Sequence, residues 1–282
     1  MSLTVLGIDV SPELLAQWVD WLAPDEQPFF VTPEQAAAWS LQGSDRPLTR
    51  NERDTFLVYD VDSAATVAVW LNEGQFTELA PAVRAQLVRA QASYERGAVP
   101  TVRRWQHLLG PELRRQADGH RFVWWKSILT DHAAEVLPAV VSEYLGPSRH
   151  TEVNRWPASL PRAQELAGTF PPFSGPNCFG TVMAAAGVEG ADITWMLREP
   201  FETWLAENTT PGGRDDQPGT VFVWRATDDG RVNHAAITLG DGWMLHKPSQ
   251  SWWTPRKVRT VAEVRRSKRD VGQRLFRRTL TR

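Results

Sequence analysis

Apolar positions recur every three to four residues through the first half of the chain, and every second residue in part of the last third. The first rhythm belongs to helices and the second to strands. In SPELLAQWVDWLA, Leu14, Leu15, Trp18 and Trp21 fall on one helical face, with Ser11 as N-cap and Pro12 at the first helical position. TPEQAAAWSLQG repeats that grammar from Thr32 and Pro33 to Gly43. TELAPAVRAQLVRAQASYERG, TVRRWQHLLG and TDHAAEVLPAVVSEYLG read as further helices. Between them, TFLVYDV and ATVAVWL are β-rich runs split by Asp-Ser-Ala, the pattern of a hairpin. From about 146 to 176 six prolines interrupt any rhythm, with PRAQELAG the one short helical stretch. NCFGTVMAAAGV then predicts a helix, and ADITWMLREPFETWLAENT a second with a break before Pro200. TVFVWRA, VNHAAITLG and WMLHKPS follow as strands joined by DDGR and GDG turns, an antiparallel meander.

This order predicts an α+β chain in two domains: a mainly helical one over 1–150, a proline-rich connection over 151–175, and a helix-then-sheet domain over 176–282. A length of 282 residues fits that division, and 42% hydrophobic residues supply a core. Fourteen tryptophans add aromatic packing or the walls of a groove.

Charge refines the picture. The net charge is −2, yet Arg256–Arg282 carries +9 and the preceding residues −11. A basic end can contact polyanions, but Val258, Val261, Val264, Val271, Leu275 and Phe276 lie in it at structured spacing. We therefore expect it to pack against the acidic remainder, and expect no nucleic-acid partner. The N-terminal residues show neither a basic segment followed by a long apolar one nor a membrane span, so the expected location is the cytoplasm, with signal-less export of a toxin left open.

Candidate chemistry centres on Cys178, the single cysteine, which excludes an intrachain disulfide and a multi-cysteine zinc site. Cys178 stands where a helix begins, and helix N-terminal N–H groups favour a thiolate. His234 and His246 are twelve residues apart across the GDG turn, close to cross-strand neighbours. One ring can then act as base while the other holds it in register. His107, His120, His132 and His150 lie among other polar residues and are expected to be ordinary histidines. Neither HExxH spacing nor a phosphate-cradling glycine loop occurs, so no metal and no nucleotide cofactor are expected.

Together NCFG, QPGTVFVW and HAAITLGDGWMLH resemble the NlpC-type branch of the papain-like cysteine peptidases and amidases, over roughly residues 170 to 260. The resemblance implies a papain-like fold with Cys178 as nucleophile, His234 as base and His246 as the orienting residue. It implies amide hydrolysis through a thioester, most often on peptidoglycan-type peptides, sometimes at a γ-glutamyl to diamino-acid bond. Where the family has Asp-Cys-Ser-Gly this chain has Asn177-Cys178-Phe179-Gly180; its Pro-Gly-Asp step is Pro218-Gly219-Thr220, and Ala236 replaces a glycine. Phe179, Trp224, Trp243 and Trp252 are the candidate substrate contacts, with Trp253 a further groove wall. Two other readings stay open: acyl transfer to an amine or lipid through the same thioester, and a binding module that retains the fold. The helical first part is expected either to cover the groove or to hold a partner protein.

Overall fold

A computed structural model describes residues 3–143 and 145–281. The chain mixes helices with antiparallel sheet, an α+β architecture, and divides into two compact units. The first contains Asp9–Glu143; the second contains Thr4–Ile8 and the described residues from 145 on. A short hairpin, β1 (Leu3–Val5) with β2 (Ile8–Val10), comes first and turns through Leu6 and Gly7, both at positive φ.

In the first unit the expected caps operate. Ser11 Oγ accepts from Leu14 N–H at 3.2 Å to start helix Pro12–Leu22, and Thr32 forms a capping box with Gln35 to start Pro33–Ala38. The expected hairpin does not form. A Thr49–Glu52 capping box turns Arg50–Thr55 into a helix, which absorbs the start of the TFLVYDV run, and Phe56 after it is completely buried. The second run becomes β4 (Val67–Asn72), which pairs instead with β3 (Glu26–Val31). Around that pair, Phe29, Phe76 and Trp125 gather with ring centroids 5.5 to 6.3 Å apart. Arg96 is enclosed there, its Nε donating to the Pro28 carbonyl and its Nη2 to Gln27 Oε1, and burial holds its pKa down to about 9.

The second unit is built on a six-stranded antiparallel sheet: β5 (Thr209–Pro211), β6 (Thr220–Ala226), β7 (Val232–Gly240), β8 (Trp243–His246), β9 (Lys257–Thr260) and β10 (Gln273–Leu280), in the order β5-β10-β6-β7-β8-β9. The expected meander is β6-β7-β8. The basic C-terminal segment is not an appendage, because β10 enters the sheet between β5 and β6 and β9 closes the other edge. Arg265 and Arg277 both meet Asp215, at 3.0 and 2.8 Å. The proline-rich stretch belongs to this unit as well. Gly168 N–H donates to the Arg256 carbonyl, Arg256 N–H to the Thr169 carbonyl, and Gly175 N–H to the Gln250 carbonyl.

Helix Cys178–Ala185 lies on one face of the sheet. Its residues form a core with Val221, Val223, Ala235, Ile237, Leu245 and Val258. The opposite face holds Phe222, Trp224, Ala236 and Met244 against Val261 and Val264 of helix Val261–Ser267. Helix Arg198–Asn208 adds Phe201 and Leu205 to the first core; Pro200 lies in its first turn and does not break it. No helix among the described residues is long and apolar enough to cross a membrane.

Gly180 sets how closely the cysteine helix can seat, because a β-carbon there would overlap the backbone carbonyl oxygen of Ala191. Gly180→Ala is therefore expected to destabilise the chain by about 1–3 kcal/mol despite alanine's better helix propensity. Urea denaturation of the two proteins measures this as a lowered midpoint with an unchanged slope.

Candidate active site around Cys178

Three local devices place Cys178. Asn177, with extended backbone, caps the helix: its Oδ1 accepts from Gly180 N–H at 3.1 Å and its Nδ2 donates to the Met196 carbonyl at 2.8 Å. Thr181 Oγ1 then donates to the Asn177 carbonyl at 2.8 Å. Upstream, Ser174 Oγ accepts from Trp252 N–H at 3.1 Å, which ties the preceding turn to the 249–254 loop. Cys178 is therefore the first residue of a helix whose start is clamped on both sides.

The sulfur meets the sheet where a ladder stops. β7 pairs with β8 from Ile237 to Gly240 only. The N–H groups of Ala235, just before that stretch, and of Phe179 favour the thiolate form of Cys178. Alternation along β7 gives Ala235 and Ile237 to the helix face, and His234 and Ala236 to the other. The β6–β7 register shifts between Trp224 and Arg225, opposite the His234 end of β7, and bulges of this kind redirect nearby side chains.

His234 and His246 come together as the hairpin spacing predicts. Their ring centroids are 6.0 Å apart and the rings are nearly perpendicular, at 86°. No hydrogen bond joins them, and His234 Nε2 and His246 Nδ1 are both buried without a partner. Cys178, His234 and His246 are 8%, 5% and 4% exposed, so this is a nearly closed site.

Burial sets the charge state. It pushes the Cys178 thiol up, against the Ala235 N–H, Lys268, the Phe179 N–H and Lys247, which favour the thiolate. Burial also drives both imidazoles well below their ordinary value. Lys268 and His246 add to this at His234; Lys257, Lys268 and Arg259 add to it at His246. Burial thus favours the neutral thiol and the neutral imidazoles, against the pull of the helix start toward a thiolate. Lys268 acts on all three groups, and the sequence marks it only as one cation in a basic run.

The aromatic candidates separate. Phe179 is buried and stacks on Phe201, with centroids 4.5 Å apart and planes 13° from parallel. Its ring packs in the core, at the same 8% exposure as Cys178. Trp252 is completely buried, edge-on to Trp253, and is no groove wall. Trp243 is half-buried under the Arg149 guanidinium, 4.7 Å from its ring. Trp224 is the candidate that touches the site: its ring is 5.4 Å from that of His234, and it lines a cavity of about 380 Å³ with Arg265, Arg266, Lys268 and Arg269. His150 lies apart from this cluster, with Nδ1 3.1 Å from Ser148 Oγ. Among the described residues no three His, Cys, Asp or Glu side chains gather as metal ligands.

No family model, curated protein or solved structure matches this chain. The resemblance to the NlpC-type branch rests on the residues quoted above.

Two titrations test these charge states. The 240-nm thiolate absorbance of Cys178, unambiguous with one cysteine, is expected to rise with a midpoint above the free-thiol value of about 8.5. A midpoint below 7 would show a resting ion pair instead. Lys257, 2% exposed, is held down to about 8 by its burial and then by Arg259. Between about pH 8 and the unfolded value near 10.4 the unfolded chain carries a proton that the folded chain lacks, so this residue's contribution to stability rises with pH. The wild type is expected to gain about 2–3 kcal/mol relative to Lys257→Met between pH 7.5 and 10.5 in urea titrations.

Proposed function

We propose that the second unit is a thiol hydrolase that cleaves an amide bond, with Cys178 as nucleophile, His234 as general base and His246 as the positioning residue. The observation that carries this reading is the meeting of His234 and His246, their rings 6.0 Å apart and nearly perpendicular, on the strand whose Ala235 N–H favours the Cys178 thiolate. A papain-like fold of the NlpC type, acting on peptidoglycan-derived peptides, is the form that the motif resemblance favours.

The neutral resting state defines the chemistry. His234 takes the Cys178 proton as sulfur bonds to the carbonyl carbon, in the manner of a hydroxyl nucleophile paired with imidazole. The oxyanion needs donors, and the Asn177 cap engages Gly180 N–H rather than that of Cys178, which leaves the latter for this role. The C–N bond then breaks, and the proton on His234 passes to the leaving amine. Water, deprotonated by His234, attacks the thioester to release the acid and restore the thiol. An imidazole held well below its ordinary pKa stays a competent base at mildly acidic pH. Acyl transfer to a lipid drew support from an apolar Phe179 beside the nucleophile, and its stacking on Phe201 inside the core removes that support.

Incubating the full chain with peptidoglycan-derived peptides, including a γ-glutamyl to diamino-acid bond, and measuring new primary amine tests the reading. Cys178→Ala is expected to lose about 10³-fold or more, and His234→Ala about 10²- to 10⁴-fold. His246→Ala is expected to lose less, with a shifted pH profile. Turnover that survives Cys178→Ala would overturn the assignment, and no turnover on any amide, with wild type and variants alike, would favour a binding module.

A further inference from the structure

His246 also borders a second group of side chains. A cavity of about 190 Å³ is lined by His246, Lys257, Arg259, Glu263, Ser267 and Lys268, among others. At roughly 30 Å³ per water it has the volume of about six waters. Three of these side chains are cations and one is an acid. The acid is committed: Glu263 accepts from Arg259 Nη2 at 2.7 Å and from Thr260 N–H and Oγ1, each at 2.9 Å. Lys257 is almost wholly buried, yet among the described residues its Nζ donates to the Gly146 carbonyl, at 2.9 Å, and forms no ion pair with a carboxylate. Lys268 Nζ donates to the Pro248 carbonyl at 3.3 Å and also has no carboxylate.

Two further donors are unmet. Arg259 Nε and His246 Nδ1 are buried without partners. Buried cations and buried donors left unpaired are each costly. Here Lys257 and His246 are buried, Arg259 and Lys268 are half-buried, and the one acidic side chain among the lining residues is already paired with Arg259. Water could accept their hydrogen bonds but would leave about two positive charges uncompensated. Gly146 contributes to the arrangement, because a β-carbon there would come within 2.7 Å of Arg259 Nη1.

We propose that this cavity is a binding site for a phosphate group, held by Lys257, Arg259 and Lys268 and accepting a hydrogen bond from His246. A dianion matches the uncompensated charge, and a tetrahedral set of acceptors matches donors arriving from several strands and a helix end. The occupant also settles the state of His246. With cations around it, the buried His246 Nδ1 has no hydrogen-bond partner among the described residues. A phosphate oxygen that takes the proton of one ring nitrogen leaves the other with a lone pair for His234, which fixes the tautomer that a positioning residue needs. That consequence rests on the hydrolase reading; the binding site does not.

Isothermal titration calorimetry on the full chain, at an ionic strength held constant with sodium chloride, tests the site with inorganic phosphate and with glycerol phosphate. Saturable one-site binding is expected, weakened about tenfold or more in Lys257→Met and in Lys268→Gln. Lys268 accepts no structural ion pair, so its variant covers the case in which Lys257→Met folds poorly. Tighter binding of glycerol phosphate identifies a phosphate carried on a larger molecule, and equal or weaker binding identifies the free ion; both support the site. No saturable heat with either probe, or affinities unchanged in both variants, would overturn it. Cys178 alkylation by iodoacetamide, with and without phosphate, reads the link to the triad. An altered rate in wild type that is lost in His246→Ala supports the coupling, and an unchanged rate with binding intact refutes the coupling alone. Intact binding without amide turnover counts against the hydrolase reading and not against the phosphate site.

Discussion

The arrangement at the candidate site depends on the close seating of helix Cys178–Ala185 against the six-stranded sheet. Every residue of that helix is buried, and it has no polar face to spare. Ala184 and Ala185 are small side chains in that core, and Gly180 lets the 191–194 segment close on the helix from its own side, up to the Ala191 carbonyl. Once the helix is that close, its first residue meets the free edge of the β7 ladder. The Ala235 N–H, just before the β7–β8 pairing begins, favours the thiolate there.

The same seating has an electrostatic consequence. A helix start normally favours an anion, but only by about 0.3–1 kcal/mol at an exposed site. Full burial outweighs that, and the thiol is pushed up while both imidazoles are pushed down. The surrounding cations, Lys268 above all, favour the thiolate while disfavouring both imidazolium ions. Their field is thus tuned for a negative charge that develops during a reaction or arrives with a ligand. The donor-rich cavity beyond His246 extends that field to a second space.

Much of the local structure was legible because it is written in short-range terms. Ser11-Pro12 and Thr32-Pro33 announce helix starts whose caps need nothing beyond four residues. The β6-β7-β8 meander follows from alternation and its turns, and it brings His234 and His246 together. The misreadings share one cause. TFLVYDV has strand propensity, but the Thr49–Glu52 capping box claims its start for a helix, and β4 finds β3 some forty residues away. β10 joins Thr209–Pro211 and Thr220–Ala226 across roughly fifty to seventy residues, a pairing that no local pattern signals.

What the sequence determined by itself was the order and kind of the chemistry: one cysteine at a helix start, then two histidines across a tight turn, in an α-then-β chain. Those are properties of spacing, which secondary structure converts directly into position. Only the tertiary structure decided which aromatic side chains face the site. Phe179 went to the core because its helix is buried all round and Phe201 lay opposite; Trp224 stayed beside His234 because the two are register partners. It also decided that burial pushes the Cys178 thiol up and that Lys257, Arg259 and Lys268 line one cavity with His246. Desolvation and convergence of charge depend on what surrounds a residue in space, and its chain neighbours do not carry that information.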